Sequence, residues 1–203
     1  MATGCCVWLD SSIAILGRRW LSVTVGVNDV KWHKAILRGV LILSTQVRIA
    51  KDADKDLIHQ LDQFYLYEFS RYAPDYYKVA GDGFFHDGDY LDFWEDSNKH
   101  PYLIEHQSEI TGFALVEDCG AYFLMNQFFV MLKFQGAGVA KSAAINVFDN
   151  HPGIWRVESL ISNPKSEGFW PKIIAGCASG QVQKSIQEPN NTHHVYSFSN
   201  VAI

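Results

Sequence analysis

The stretch Gln135-Gly136-Ala137-Gly138-Val139-Ala140 follows an apolar run and opens a segment with helical spacing. A helix N-terminus presents unpaired backbone N–H groups and the positive end of the helix dipole. Glycines there let the backbone approach an anion closely, so phosphate is a natural ligand. Two common phosphate loops do not fit. A GxxxxGK[ST] loop ending at Lys141-Ser142 would need glycine at Gln135 and Ala140, and a GxGxxG loop begun at Gly136 would need a third glycine at Lys141. Side chains that could move a proton lie nearby in sequence: Glu117 and Asp118 before the apolar run, Glu158 after it, and Glu105-His106 earlier. His193-His194 are adjacent and lack the spacing of a metal site, so no metal is expected. Cys5, Cys6, Cys119 and Cys177 form no CxxC pair and read as reduced thiols of a cytoplasmic protein.

The elements that must position these residues can be read from periodicity. Residues 46–50 are a short β-branched run. Asp52 can cap a helix over about 54–70, where Leu57, Leu61, Phe64 and Phe69 recur at helical spacing. Strands are expected at 102–106, 111–117 and 121–132, joined by short hairpin-like connections. The last is apolar on both faces and should be central. After the glycine turn, Val139, Ala143, Val147 and Phe148 mark a helix that stops before His151-Pro152-Gly153. A strand over 154–161 follows. Asn163 can then cap a short helix to about Ile174, with Pro164 in its first turn and Pro171 expected to kink or shorten it. A closing strand is expected at 193–201. Hairpins combined with a strand–helix–strand crossover predict an α+β domain built on a mixed, mostly antiparallel sheet.

The net charge is −5, but residues 1–50 carry +4 and the remainder −9. That change of sign marks a boundary, which divides the chain into an N-terminal extension, 1–45, and a domain, 46–203. The overall charge argues against nucleic acid as partner. The apolar stretches before residue 45 are interrupted by Arg18-Arg19 and Arg38 and are too short for a membrane span. Their basic, apolar character also suits an arm for interaction with a partner or a membrane surface. Between 81 and 96, Asp82, Asp87, Asp89, Asp92, Glu95 and Asp96 are interleaved with Phe84, Phe85, Tyr90, Phe93 and Trp94, which reads either as a solvated loop whose aromatics plug the core edge or as a lip suited to a cationic amine.

Two motifs in order carry a family resemblance. Gln135 to Ala140 fits Q/R-x-x-G-x-G/A after the strand containing Phe129-Val130. Downstream, Asn163 followed by Phe169-Trp170 is similar to N-x-x-A-x-x-F-Y, with Ser166 at the alanine. Over about residues 46–186 the chain resembles the GNAT superfamily of N-acetyltransferases. The resemblance implies the acyl-CoA N-acyltransferase fold and acetyl-coenzyme A as co-substrate. It implies that the backbone of Gln135, Gly136, Ala137, Gly138, Val139 and Ala140 holds the pyrophosphate, with Lys141 also in the cofactor site. Phe129, Val130 and Met131 would pair with the pantetheine arm, and Asn163 and Phe169 would complete the cofactor site.

The implied reaction is direct attack by an amine, from a small molecule or a protein, on the acetyl thioester. It needs a base, a donor to the thioester oxygen and an acid for the leaving thiolate. Similar sequences place Glu where Gln127 stands, and the acid tyrosine falls at Trp170. An amide is no general base, and an indole is far too weak an acid. Gln127, Glu117 and Trp170 are therefore the catalytic candidates, with Gln127 able to orient substrate or water. The alternative reading is an acyl-coenzyme A-binding module with little or no catalysis. A homodimer is compatible with either.

Overall fold

Residues 44–86 and 92–202 are described by a computed structural model of the chain. Nearly all of the N-terminal extension, with Cys5 and Cys6, lies outside the described residues, as do Asp87, Asp89 and Tyr90 of the acidic–aromatic segment. The elements run β1 (Thr45–Ile49), α1 (Lys55–Phe69), β2 (Lys99–His106), β3 (Glu109–Asp118), β4 (Phe123–Val130), α2 (Val139–Asn150), β5 (Ile154–Leu160), α3 (Pro164–Cys177), β6 (Gln183–Ile186) and β7 (His193–Ser199). Seven strands form one sheet in the order β1-β2-β3-β4-β5-β7-β6. Every pairing is antiparallel except β4 with β5.

Local chemistry sets these elements. Gln107 and Ser108 turn β2 into β3 with φ of 52° and 65°, the twist-matched geometry of a tight hairpin. Arg48 on β1 donates to Asp54 at 2.7 Å and to Glu105 on β2 at 2.7 Å, so one guanidinium ties the start of α1 to the sheet edge. Asp54 also accepts from the Lys51 backbone N–H at 2.8 Å, a capping contact across the 3-10 turn Asp52–Asp54 that leads into α1. Asn163 caps α3 as its sequence position suggests, accepting from the N–H groups of Lys165 and Ser166.

Alternation along the strands divides the core between two faces. One face carries α1: Ile58, Leu61, Tyr65 and Leu66 pack on Leu103, Phe113, Leu115 and Phe129. The other carries α2 and α3: Ala144, Val147, Phe148, Trp170 and Ile174 pack on Ala114, Val116, Trp155, Val157 and Phe198. Helices thus cover both faces of a mixed sheet.

One expectation is corrected, and the structure refines two others. Pro171 does not shorten its helix: α3 continues to Cys177, because Trp170, Ile173 and Ile174 bury a face that outweighs the lost hydrogen bond. The closing strand forms, as β7, and it is not the sheet edge. A further strand, β6, lies outside β7, and all four of its residues are exposed, so it carries no apolar alternation to read. In the 81–96 segment, Phe93 is buried against α1, and Phe85 and Trp94 pack beside it. Gln63 grips the Phe85 backbone, receiving its N–H at 2.9 Å and donating to its carbonyl at 3.1 Å. Phe85, Phe93 and Trp94 plug the core edge, Phe84 is exposed, and none of the four lines the cleft.

Candidate active site

β4 and β5 run side by side only from Phe123 to Met125, paired with Trp155 to Val157, and then diverge. On its other edge β4 stays paired with β3 as far as Val130. Among the described residues, the edge of Asn126 to Val130 that faces β5 is therefore without a strand partner, and a cleft of about 1170 Å³ opens there. A bulge marks the point of divergence. Leu115 pairs with Gln127 and Val116 with Met125, so Asn126 is the extra residue that re-aims the strand.

At its far end β4 passes through a 3-10 turn, Leu132–Phe134, into Gln135. Gly136 and Gly138 follow with φ of 82° and 81°, and Gly138 caps α2. A Cβ on either glycine would meet nothing within 4 Å, so it is conformation that requires glycine there. The Gln135 side chain donates to the Val130 carbonyl at 2.9 Å and fastens the turn to the strand end. Lys141, Lys165 and Lys172 line the same cleft, a cationic complement to free N–H groups at a helix start.

No family model matches the sequence, and no curated protein matches it. Solved structures do. An acetyltransferase of the GNAT family from Staphylococcus aureus Mu50 covers 78% of this chain over 100% of its own, at 8% identity and TM-score 0.55. An acetyltransferase from Thermus thermophilus covers 78% over 98% of its own, at 15% identity and TM-score 0.55. A ribosomal L7/L12 alpha-N-protein acetyltransferase, solved in complex with coenzyme A, covers 77% over 96% of its own, at 13% identity and TM-score 0.51. This chain has the GNAT fold. The mixed seven-stranded sheet and the parting of β4 from β5 are its form of that fold.

Within this GNAT fold the cleft has two unlike walls. On the α2–α3 face, Phe128 stacks on Phe169 at 6.1 Å and meets Trp170 edge-on at 5.3 Å. On the α1 face, Tyr65, Phe69, Tyr72, Tyr76 and Tyr77 give an aromatic lining with Glu68 among them. The turn after α1 is held over the cleft by Ser162, whose hydroxyl donates to the Tyr72 carbonyl at 3.0 Å. The β6–β7 connection closes this side with Gln187, Asn190 and Thr192.

The candidates from sequence fall into three groups. Phe129, Val130, Gln135, Gly136, Gly138, Ala140, Lys141, Asn163, Phe169, Gln127 and Trp170 all line the cleft. Met131, Ala137 and Val139 are not in its lining; Val139 is buried beneath the turn with Val130, Phe134 and Ala143. Glu117 is not brought to the cleft: it lies on β3 opposite Lys99 and Leu124, near the closed end of the sheet split. Gln127 is 7% exposed and faces the α1 side with Leu115, and its Oε1 has no hydrogen-bond partner among the described residues. Trp170 is 6% exposed, locked among Phe128, Phe148 and Phe169 as part of a wall.

The sequence reading missed the Tyr65-to-Tyr77 wall and the β6–β7 connection. The wall reads in sequence as an ordinary amphipathic helix followed by a Pro-containing break. Its density of tyrosine, Tyr65, Tyr67, Tyr72, Tyr76 and Tyr77 within thirteen residues, was the available signal.

Proposed function

We propose that this chain is an N-acetyltransferase that takes its acetyl group from acetyl-coenzyme A and passes it to an amine. The observation that carries the reading is the unpaired edge of β4 leading directly into a glycine turn at a helix start. An extended pantetheine arm can add to such an edge as a strand does, and the turn can receive a pyrophosphate. The open space around Gly136 and Gly138 and the three cleft lysines fit that ligand. Acetyl-coenzyme A supplies the acetyl thioester. The free N–H groups of β4 near Val130 can donate to the thioester oxygen, and Phe128, Phe169 and Trp170 shield the site from water. The α1 face, acidic and aromatic, suits a cationic amine as acceptor, on a small molecule or a protein. We assign this activity to residues 46–203, with 1–45 as an extension, and place the protein in the cytoplasm on its reduced thiols. No helix among the described residues is long and apolar enough to cross a membrane.

Gln127 and Trp170 favour a second reading, an acyl-coenzyme A-binding module with weak catalysis, since neither side chain can exchange the required proton. Activity gained in Gln127→Glu and absent from the unaltered chain would select it. The first test is calorimetric titration of acetyl-coenzyme A, with pantetheine and dephospho-coenzyme A as controls. Saturable one-site binding is expected, weakened at least tenfold in Gly138→Asp. Aspartate is a good helix cap and tolerates positive φ better than most residues, so the loss would reflect charge against the pyrophosphate. A folded protein that binds no acetyl-coenzyme A would overturn the reading.

A further inference from the structure

We propose that His193 is the general base of the transfer, accepting the proton of the acceptor nitrogen at Nε2. The proposal rests on the acetyltransferase reading and adds to it a residue that the motifs do not mark. His193 opens β7 opposite Leu160 of β5 and lines the cleft. Its side chain lies on the α1 face. Trp155, Val157, Tyr196 and Phe198 point into the α2–α3 core, and His194 reaches Glu167 of α3 at 2.6 Å. Alternation then sends Glu158 and His193 to the opposite face, the one that Gln127 shares. His193 therefore stands on the acceptor side, away from the Phe128–Phe169–Trp170 wall.

Its surroundings suit a base. The Nδ1 atom lies 2.9 Å from the Thr192 hydroxyl oxygen. With Nδ1–H donating there, Nε2 keeps its lone pair, and it has no partner among the described residues. Burial holds the imidazole below its ordinary range, opposed by the nearby charge of Glu158, so the neutral form prevails at neutral pH. Glu158 is steadied by Arg156 at 2.9 Å and by Gln187 at 3.1 Å. Glu68, from α1, also lines the cleft, and the cations of that lining are Lys141, Lys165 and Lys172. Both carboxylates favour the imidazolium once the proton has moved.

The step balances without another reactant. An ammonium of the acceptor loses one proton to solvent. As its nitrogen lone pair forms the bond to the acetyl carbon, the carbon–sulfur bond breaks, and the sulfur leaves with that electron pair as thiolate. His193 takes the second nitrogen-bound proton and later yields it to the thiolate. The net products are an acetamide, a thiol and one proton.

The test uses the full chain, with 1,4-diaminobutane, tyramine and a short peptide with a free N-terminus as probe amines. His193→Gln should lower kcat/KM by about 10²–10⁴-fold for any amine turned over, as expected for a lost general base. It should abolish the acid-side limb of the pH profile and leave the acetyl-coenzyme A Kd unchanged. Exogenous imidazole should restore part of the rate to His193→Gly. Independently of turnover, NMR of the histidine rings should show His193 titrating below 6.5, and lower still in Glu158→Gln. Turnover in His193→Gln within threefold of the unaltered chain would overturn the proposal. So would a ring that titrates above 6.5, or a chain that binds acetyl-coenzyme A yet acetylates none of the three amines. Absence of acetyl-coenzyme A binding would instead overturn the acetyltransferase reading, and this proposal with it.

Discussion

At single positions, two glycines near the cleft have opposite reasons to be glycine. Gly138 sits at positive φ with open space around it, so alanine there meets only backbone strain of about 1 kcal/mol. Gly112 lies in β3 opposite Val130, and a Cβ there would fall 1.9 Å from the Phe129 carbonyl oxygen. That oxygen belongs to backbone and cannot swing aside, so β4 itself must shift. Gly112→Ala is expected to destabilise the protein by about 3 kcal/mol or more. It should also weaken acetyl-coenzyme A binding, because the displaced strand is the one that lines the cleft. Urea denaturation and calorimetry on the two alanine variants check the contrast. Gln127 shows the opposite economy. An amide oxygen left buried without a partner costs about 1–3 kcal/mol, and a bound amine could satisfy it.

At the level of elements, stability should fall with acid in two separate windows. At the closed end of the β4–β5 split, the His151 ring accepts or donates at 2.8 Å to Tyr102 and lies 4.8 Å from the rings of His100 and Phe123. Burial, with the charge of His100, pushes His151 below its ordinary range. The unfolded chain therefore binds more protons there. The stability is present above about 6.5 and is lost as pH falls through the lowered value. His193 adds to the same window through its own burial. The Arg48 clamp contributes to the second window. The hydrogen bond from Arg48, then that from the Lys51 N–H, pulls Asp54 down to about 2. Its contribution is complete above the ordinary carboxylate range and lost between about pH 4 and pH 2. Urea midpoints measured from pH 8 to pH 2 should show both declines. His151→Gln should shrink the upper one and Asp54→Asn the lower, to which Asp82 and Glu167, also held below the ordinary carboxylate range, contribute.

For the whole molecule, the cleft is a gap in an otherwise continuous sheet, so a ligand that fills it should act as the missing strand. Acetyl-coenzyme A at 100 times its Kd is expected to add about 2.7 kcal/mol to stability. For a domain of this size that is a rise in Tm of roughly 5–10 °C. Because Lys141, Lys165 and Lys172 line the cleft, the gain at fixed ligand should shrink with added salt. Scanning calorimetry with and without ligand, at low and high salt, reads both effects. No shift at saturating ligand would mean that the cleft does not take it.

The amino-acid sequence by itself determined the elements that have a period and the turn that has a signature. Apolar residues at helical spacing place α1 and α2, the run through Phe129-Val130 places β4, Asn163 starts α3, and the glycines of 136–138 mark a helix start that can take an anion. These features are local, settled within a few residues by backbone sterics, capping and which face is apolar. What lies across the cleft from that turn was decided only by the tertiary structure. β6 is exposed throughout and has no pattern; β7 slips between it and β5. Glu117, close to the glycine turn in sequence, ends beside the opposite end of β4 and outside the cleft lining, because a hairpin reverses the chain between them. Glu158 and His193, 35 residues apart, come to one face only because β5 and β7 pair in a single register. A strand's alternation tells which residues share a face, but the partner strand, and so the company each side chain keeps, is fixed by long-range pairing.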